Sequence, residues 1–211
     1  MALDDGTLGS IELLDLHARA QGLIGGLLVD LPRSSLRTAT PCVDWTLNDL
    51  LRHVVGRDVG LAEAARGGGQ DKSSWRPVVL GRDPGREVAE SAVDVVAAFA
   101  TRGVDGVLWM PEISAAGPIP ARVALLAHLV DTVVHGWDVA VTIGRPYRVP
   151  EDLLAAAAAV SAAVPDGPNR TRSDPLGPEP AFGPALGLHF DQPLDILLAH
   201  LGRDPRWTPT A

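Results

Sequence analysis

Apolar residues recurring at helical period, an almost complete lack of alternating segments, and glycine or proline between the periodic runs predict an all-α fold. The expected architecture is an up-and-down bundle of four main helices with short C-terminal additions. The first helix starts near Ser10, a good N-cap, and runs to about Leu31. Ile11, Leu14, Leu16, Leu23, Ile24, Leu27 and Leu28 form its apolar stripe, and Pro32 stops it. A second helix begins at Thr46, where Thr46-Leu47-Asn48-Asp49 reads as a capping-box variant. Its buried face is Leu47, Leu50, Leu51, Val54, Val55 and Leu61, and Gly67-Gly68-Gly69 ends it.

Residues 70–85 read as loop. A third helix spans Arg86 to Arg102, with Val88, Ala92, Val95, Val96 and Phe99 inward and Gly103 as its stop. The next segment is irregular, with at most a short strand around Val107 to Met110. The fourth helix covers Ala121 to Ile143 and ends at Gly144; the fifth follows Pro150 and covers Glu151 to Ala163. The stretch from Val164 to Gly187, rich in Pro, Gly and charge, reads as a long surface loop. A short helix from Pro193 to Leu201 closes the chain's periodic segments before Gly202. Residues 1–163 thus read as the bundle domain, and 164–211 as a loop and short helix packing on it.

Composition narrows the function. A chain of 211 residues that is 46% hydrophobic and 21% charged has the makings of one globular core. Its net charge of −8, with scattered Arg and one Lys, argues against a nucleic-acid partner, which clustered basic side chains would serve. Apolar runs are interrupted before about 18 clean residues, so no membrane span is expected. The acidic start MALDDGTLGS is unlike a signal peptide, and a cytoplasmic location is expected. Cys42 is the single cysteine, which is read as excluding an intrachain disulfide and a Cys-based zinc site; it reads as a buried, inert thiol. No serine sits in a nucleophile-elbow pattern.

One constellation looks like chemistry. Asp131 and His135 stand four apart in ALLAHLVDTVVHGWDVAVTIG, so a helix places them on one face, one turn apart. A third candidate, His53, lies among apolar residues in TLNDLLRHVVG. Neutral imidazoles and a carboxylate suit zinc, nickel or a similar divalent ion, and three protein ligands leave a position open for chemistry. Asp131 also sits in an otherwise apolar run, where a carboxylate is costly unless paired or bound to a cation. His128 shares that face, but lies about 10.5 Å from His135 along the axis at 1.5 Å per residue. It is therefore a neighbour of, or substitute in, the Asp131–His135 pair. Asp138, three residues after His135, is placed to accept an imidazole proton and fix its tautomer, or only to orient the helix surface. His17, without an acid or imidazole near it in sequence, reads as a surface or packing residue, and His189 and His200 as structural.

PCVDWTLNDLLRHVVG, DTVVHGWDVAVTIGRP and LLAHLGRDPRWTP together resemble the actinobacterial mycothiol-dependent maleylpyruvate isomerase-like proteins of the DinB-like superfamily. The resemblance implies a four-helix bundle holding a divalent metal through a His on the second helix and an acid-x-x-x-His pair on a later one. Those roles fall on His53, Asp131 and His135. The founding isomerase carries Glu at the acid position, where this chain has Asp131, and an additional C-terminal domain for which this chain is too short. The expected function is a metal-dependent enzyme using a small, mycothiol-like thiol for isomerisation of, or S-transfer to, an electrophilic small molecule. The alternatives are a non-catalytic metal- or ligand-binding module and a metal enzyme acting without a thiol. The expected state is a monomer or homodimer.

Overall fold

Six α-helices, two 3-10 turns at Arg33–Arg37 and Lys72–Trp75, and one short ribbon make up the regular structure among the residues that the computed structural model describes, 8–111, 113–114, 116–164, 166, 170 and 182–209. Helix α1 covers Ser10–Leu27, capped by Gly9, whose N–H is taken by the Glu12 carboxylate at 3.3 Å. Ser10 is therefore the first helical residue rather than the cap. The helix stops four residues before the expected Leu31, because Leu28 leaves helical geometry and Asp30 turns to a φ of 56°. Arg145 secures this end by donating to the Leu27 carbonyl at 2.7 Å and the Val29 carbonyl at 3.0 Å.

Helix α2, Leu47–Ala65, carries the expected reciprocal cap: Thr46 Oγ accepts the Asp49 N–H at 3.3 Å and Asp49 accepts the Thr46 N–H at 3.1 Å. Gly67, at a φ of 96°, turns the chain out of it. Helix α3, Pro84–Arg102, begins two residues earlier than expected, since Asp83 caps it and proline suits the first turn. Strand β1, Val107–Leu108, pairs antiparallel with β2, Ile119–Pro120. Helix α4 follows at Ala121–Thr142, then α5 at Glu151–Ser161 and α6 at Pro193–His200. Most of the loop expected between Val164 and Gly187 lies outside the described residues.

The fold is thus all-α, as the periodicity and the resemblance both predicted. Around the bundle, α1 packs against α3 and α4, and α2 packs against the same two helices, so sequence neighbours α1 and α2 sit diagonally. Helix α4 is the pivot. Leu125, Leu129 and Val133 are fully buried on it, and Leu197, Leu198 and Leu201 near the C-terminus join the same core. Truncating a leucine so placed to alanine costs about 2–5 kcal/mol.

Helix α4 is also long and apolar enough to cross a membrane by length and hydropathy, which the interrupted runs had not suggested. Its role as the central helix accounts for this: 83% of the apolar window is buried inside the bundle. Along α2, the loop at Lys72–Trp75 lies directly on Gly60, where a Cβ would come within 2.6 Å of the Trp75 ring. The indole is buried and donates to the Gly69 carbonyl at 2.9 Å.

Candidate metal centre

Helices α2 and α4 bring His53, Asp131 and His135 together, each offering a donor atom within 4.8 Å of the others. The i, i+4 spacing puts His135 Nε2 at 3.3 Å from one Asp131 oxygen, while His53 Nε2 lies 3.9 Å from the other. The two rings meet edge to face with centroids 5.0 Å apart. His53 and His135 are buried, whereas the Asp131 side chain keeps 19% of its surface exposed. Access to the group therefore lies on the carboxylate side.

His53 Nε2 is buried and, among the described residues, has no hydrogen-bond partner. A buried imidazole nitrogen so placed, aimed at a carboxylate beyond hydrogen-bond reach and at a second imidazole, is suited to a cation. Two nitrogens and a carboxylate are the donor set that zinc or a comparable divalent ion takes.

The electrostatics of the metal-free group are those of a proton held where a cation fits. Burial opposes charge on His135, but Asp131 and then Asp138 outweigh it and raise its pKa well above the ordinary 6.5. Burial likewise opposes ionisation of Asp131, yet His135 and His53 hold it well below the usual carboxylate range. His53 goes the other way. Burial pushes it down to about 4, with His135 and Arg57 adding to the fall and Asp131 resisting it.

Behind the group, His135 Nδ1 lies 2.9 Å from Asp138 Oδ2. A carboxylate there accepts the Nδ1 proton and leaves Nε2 facing Asp131 and His53. Asp138 is fully buried; burial disfavours its charge, but Arg203 above all, and then His135, hold its pKa below the usual value. The Arg203 Nε contacts both Asp138 oxygens, at 3.1 and 3.2 Å, and its Nη2 lies 3.3 Å from Cys42 Sγ. The Cys42 thiol in turn lies 3.3 Å from Asp138 Oδ2. Cys42, His135 and Asp138 also form a ligand-like group, but Arg203 already supplies its positive charge. Trp45, three residues after Cys42, packs against His53 at a tilt of 52° with ring centroids 5.0 Å apart.

Two histidines fall elsewhere than the spacing suggested. His128 does not turn toward Asp131 and His135: its Nε2 lies 3.4 Å from Asp58 and its Nδ1 2.9 Å from His17 Nε2. His17, expected at the surface or in simple packing, is buried in this polar network, and burial followed by the nearby His128 lowers its pKa well below 6.5. Asp58, fully buried, also accepts from Gln21 Nε2 at 2.8 Å and Ser91 Oγ at 2.7 Å. The partners of His17 and His128 come from facing helices, His128 from α4 to His17 on α1 and Asp58 from α2 to His128. Cys42 is buried as expected, but it has ionic neighbours. No spacing in the sequence ties Arg203 or Trp45 to the trio, although both lie in segments that carry the family resemblance.

Comparisons with known proteins bear on the same region. The chain is 30% identical over 206 residues to two uncharacterized proteins of Mycobacterium tuberculosis, MT0763 of strain CDC 1551 and Rv0738 of strain H37Rv. In each case the match covers 93% of this chain and 100% of the relative. No solved structure matches the chain significantly. The family model for the mycothiol maleylpyruvate isomerase N-terminal domain matches residues 18–140, a stretch that holds His53, Asp131 and His135. The chain belongs to that family.

Proposed function

We propose that His53, Asp131 and His135 hold one divalent metal ion, and that the protein uses it with a small thiol to transform an electrophilic small molecule. The observation that carries the metal reading is the unpartnered, buried Nε2 of His53, aimed at a carboxylate and a second imidazole on the facing helix. Nitrogen and oxygen donors suit zinc or nickel. The mycothiol in the family's description supports a low-molecular-weight thiol as cosubstrate.

When bound, such an ion supplies Lewis acidity, lowering the proton affinity of a thiol brought to its open position. The chain's own residues do the rest. Asp138 holds the His135 Nδ1 proton and so presents Nε2 toward the centre. The exposed flank of Asp131 leaves an approach for the thiol and the electrophile, while Trp45 covers the His53 ring. Addition of the thiol to an unsaturated substrate, bond rotation and elimination would give isomerisation; retention of the new carbon–sulfur bond would give S-transfer.

The test is metal analysis followed by a screen of unsaturated electrophiles with and without mycothiol. The expected result is about one divalent ion per chain and turnover that requires both metal and thiol. Full turnover of metal-loaded protein with the thiol left out would move the assignment to a thiol-independent metal enzyme. Stoichiometric binding without turnover would move it to a binding module.

A further inference from the structure

We propose that Arg203 is a positioning residue for the metal centre, holding the Asp138 carboxylate in the orientation that presents His135 Nε2 to the ion. The inference rests on the reading of His53, Asp131 and His135 as ligands. It adds a residue outside the 18–140 stretch matched by the family model.

The chain delivers Arg203 by a specific turn. Gly202, at a φ of 76°, reverses direction after α6, and the Arg203 N–H is fixed by the Leu198 carbonyl at 2.8 Å. Its side chain then runs into the protein interior, where both it and Asp138 are buried. A carboxylate can rotate about its last bond, and the observed orientation puts an oxygen, Oδ2, at 2.9 Å from His135 Nδ1. Arg203 Nε, at 3.1 and 3.2 Å from the two oxygens, resists that rotation. Its Nη2 at Cys42 Sγ ties the same carboxylate to the loop that carries Trp45 over His53. One guanidinium therefore links three pieces of the centre's surroundings: the C-terminal segment, α4 and the loop before α2.

The tautomer follows from the orientation. With Asp138 accepting at Nδ1, the proton that an incoming ion displaces, and the lone pair it uncovers, are on Nε2, beside Asp131. With that carboxylate free to turn, Nδ1 loses its fixed acceptor and the ring can present either nitrogen. Outer partners of this kind change metal affinity about 10- to 100-fold when removed.

The full chain would be stripped of metal, and zinc affinity measured by competition with a chromogenic chelator for wild type, R203M, R203K, D138N and the R203M/D138N double variant. R203M is expected to weaken zinc binding about 10- to 100-fold. R203K should weaken it less, because lysine keeps the charge but not the fork. The double variant should be no weaker than the worse single variant, since both changes act through one carboxylate. The d–d absorption of cobalt-loaded R203M should also shift, a readout that a merely structural loss would leave in place. Zinc affinity within about twofold of wild type in R203M, with only its melting temperature lowered, would overturn the proposal, as would independent, multiplying effects in the double variant. Should R203M fail to fold, R203K and D138N decide, and an unchanged affinity in R203K overturns it. H53A separates this from the underlying reading. If H53A binds zinc like wild type, the ligand trio is wrong; if H53A loses zinc and R203M does not, only the role of Arg203 is wrong.

Discussion

Metal loading should release close to one proton per ion, and the number should hardly change across mildly acidic pH. In the metal-free protein His135 keeps a proton, because Asp131 and Asp138 override the burial that opposes it. His53 is pushed down to about 4 and is already neutral. An ion needs the lone pair of each, so it must expel the proton of His135 and has none to expel from His53. The sign is fixed by this: affinity rises with pH below the raised pKa of His135, by about tenfold per unit for one proton. Two ordinary imidazoles of pKa about 6.5 would release about 1.8 protons at about pH 5.5 and about 1.0 at about pH 6.5. The present pair should release about 1.0 at both, since a group of pKa near 4 is only about 3% protonated at about pH 5.5. Calorimetric titration of zinc in buffers of different ionisation enthalpy reads this number directly. A count near 1.8 that falls with pH would refute the asymmetry between the two histidines. A count near zero would show that His135 is neutral before the ion arrives.

Metal content should also separate the histidines: H135A and H53A should lose most of the ion that wild type retains after purification, whereas H17A should keep it, as elemental analysis would show. G60A should lower the melting temperature, because the new Cβ falls 2.6 Å from the Trp75 ring; the overpacking cost of about 1–3 kcal/mol exceeds the helix-propensity gain of up to about 1 kcal/mol. D58A should cost about 3–5 kcal/mol in urea unfolding by leaving Gln21, Ser91 and His128 without their buried acceptor, yet leave zinc affinity in place.

The bundle was legible because each helix advertises itself locally. The Thr46–Asp49 cap and the glycines after α2 mark boundaries within a few residues of themselves, and the structure reproduces them. The end of α1, by contrast, is not marked locally. Its stop involves Asp30 and the carbonyl contacts from Arg145, and Arg145 lies more than a hundred residues away. His17 illustrates the point more sharply. The nearest acid, Asp15, is exposed and pairs with Arg19, and the partner of His17, His128, comes from the facing helix α4. Residues whose meaning depends on which helices are neighbours cannot be read from spacing along one helix. Asp131, His135 and Asp138 could be, since one helix carries all three.

Two ligand-like sets share His135, one on each ring nitrogen, and charge pairing separates them. Nδ1 faces Asp138 and Cys42, a set that already meets the Arg203 guanidinium at 3.1 to 3.3 Å. A metal ion arriving there would have to displace a buried, always-charged side chain fixed by its own backbone. Nε2 faces Asp131 and His53, where the positive charge that Asp131 meets is a proton on His135, and His53 Nε2 meets none by hydrogen bond. A proton leaves to solvent when an ion enters; a guanidinium has nowhere to go. The same imidazole is thereby anchored on one side and available on the other. Which side is which is decided by Arg203, from a segment 65 residues beyond Asp138.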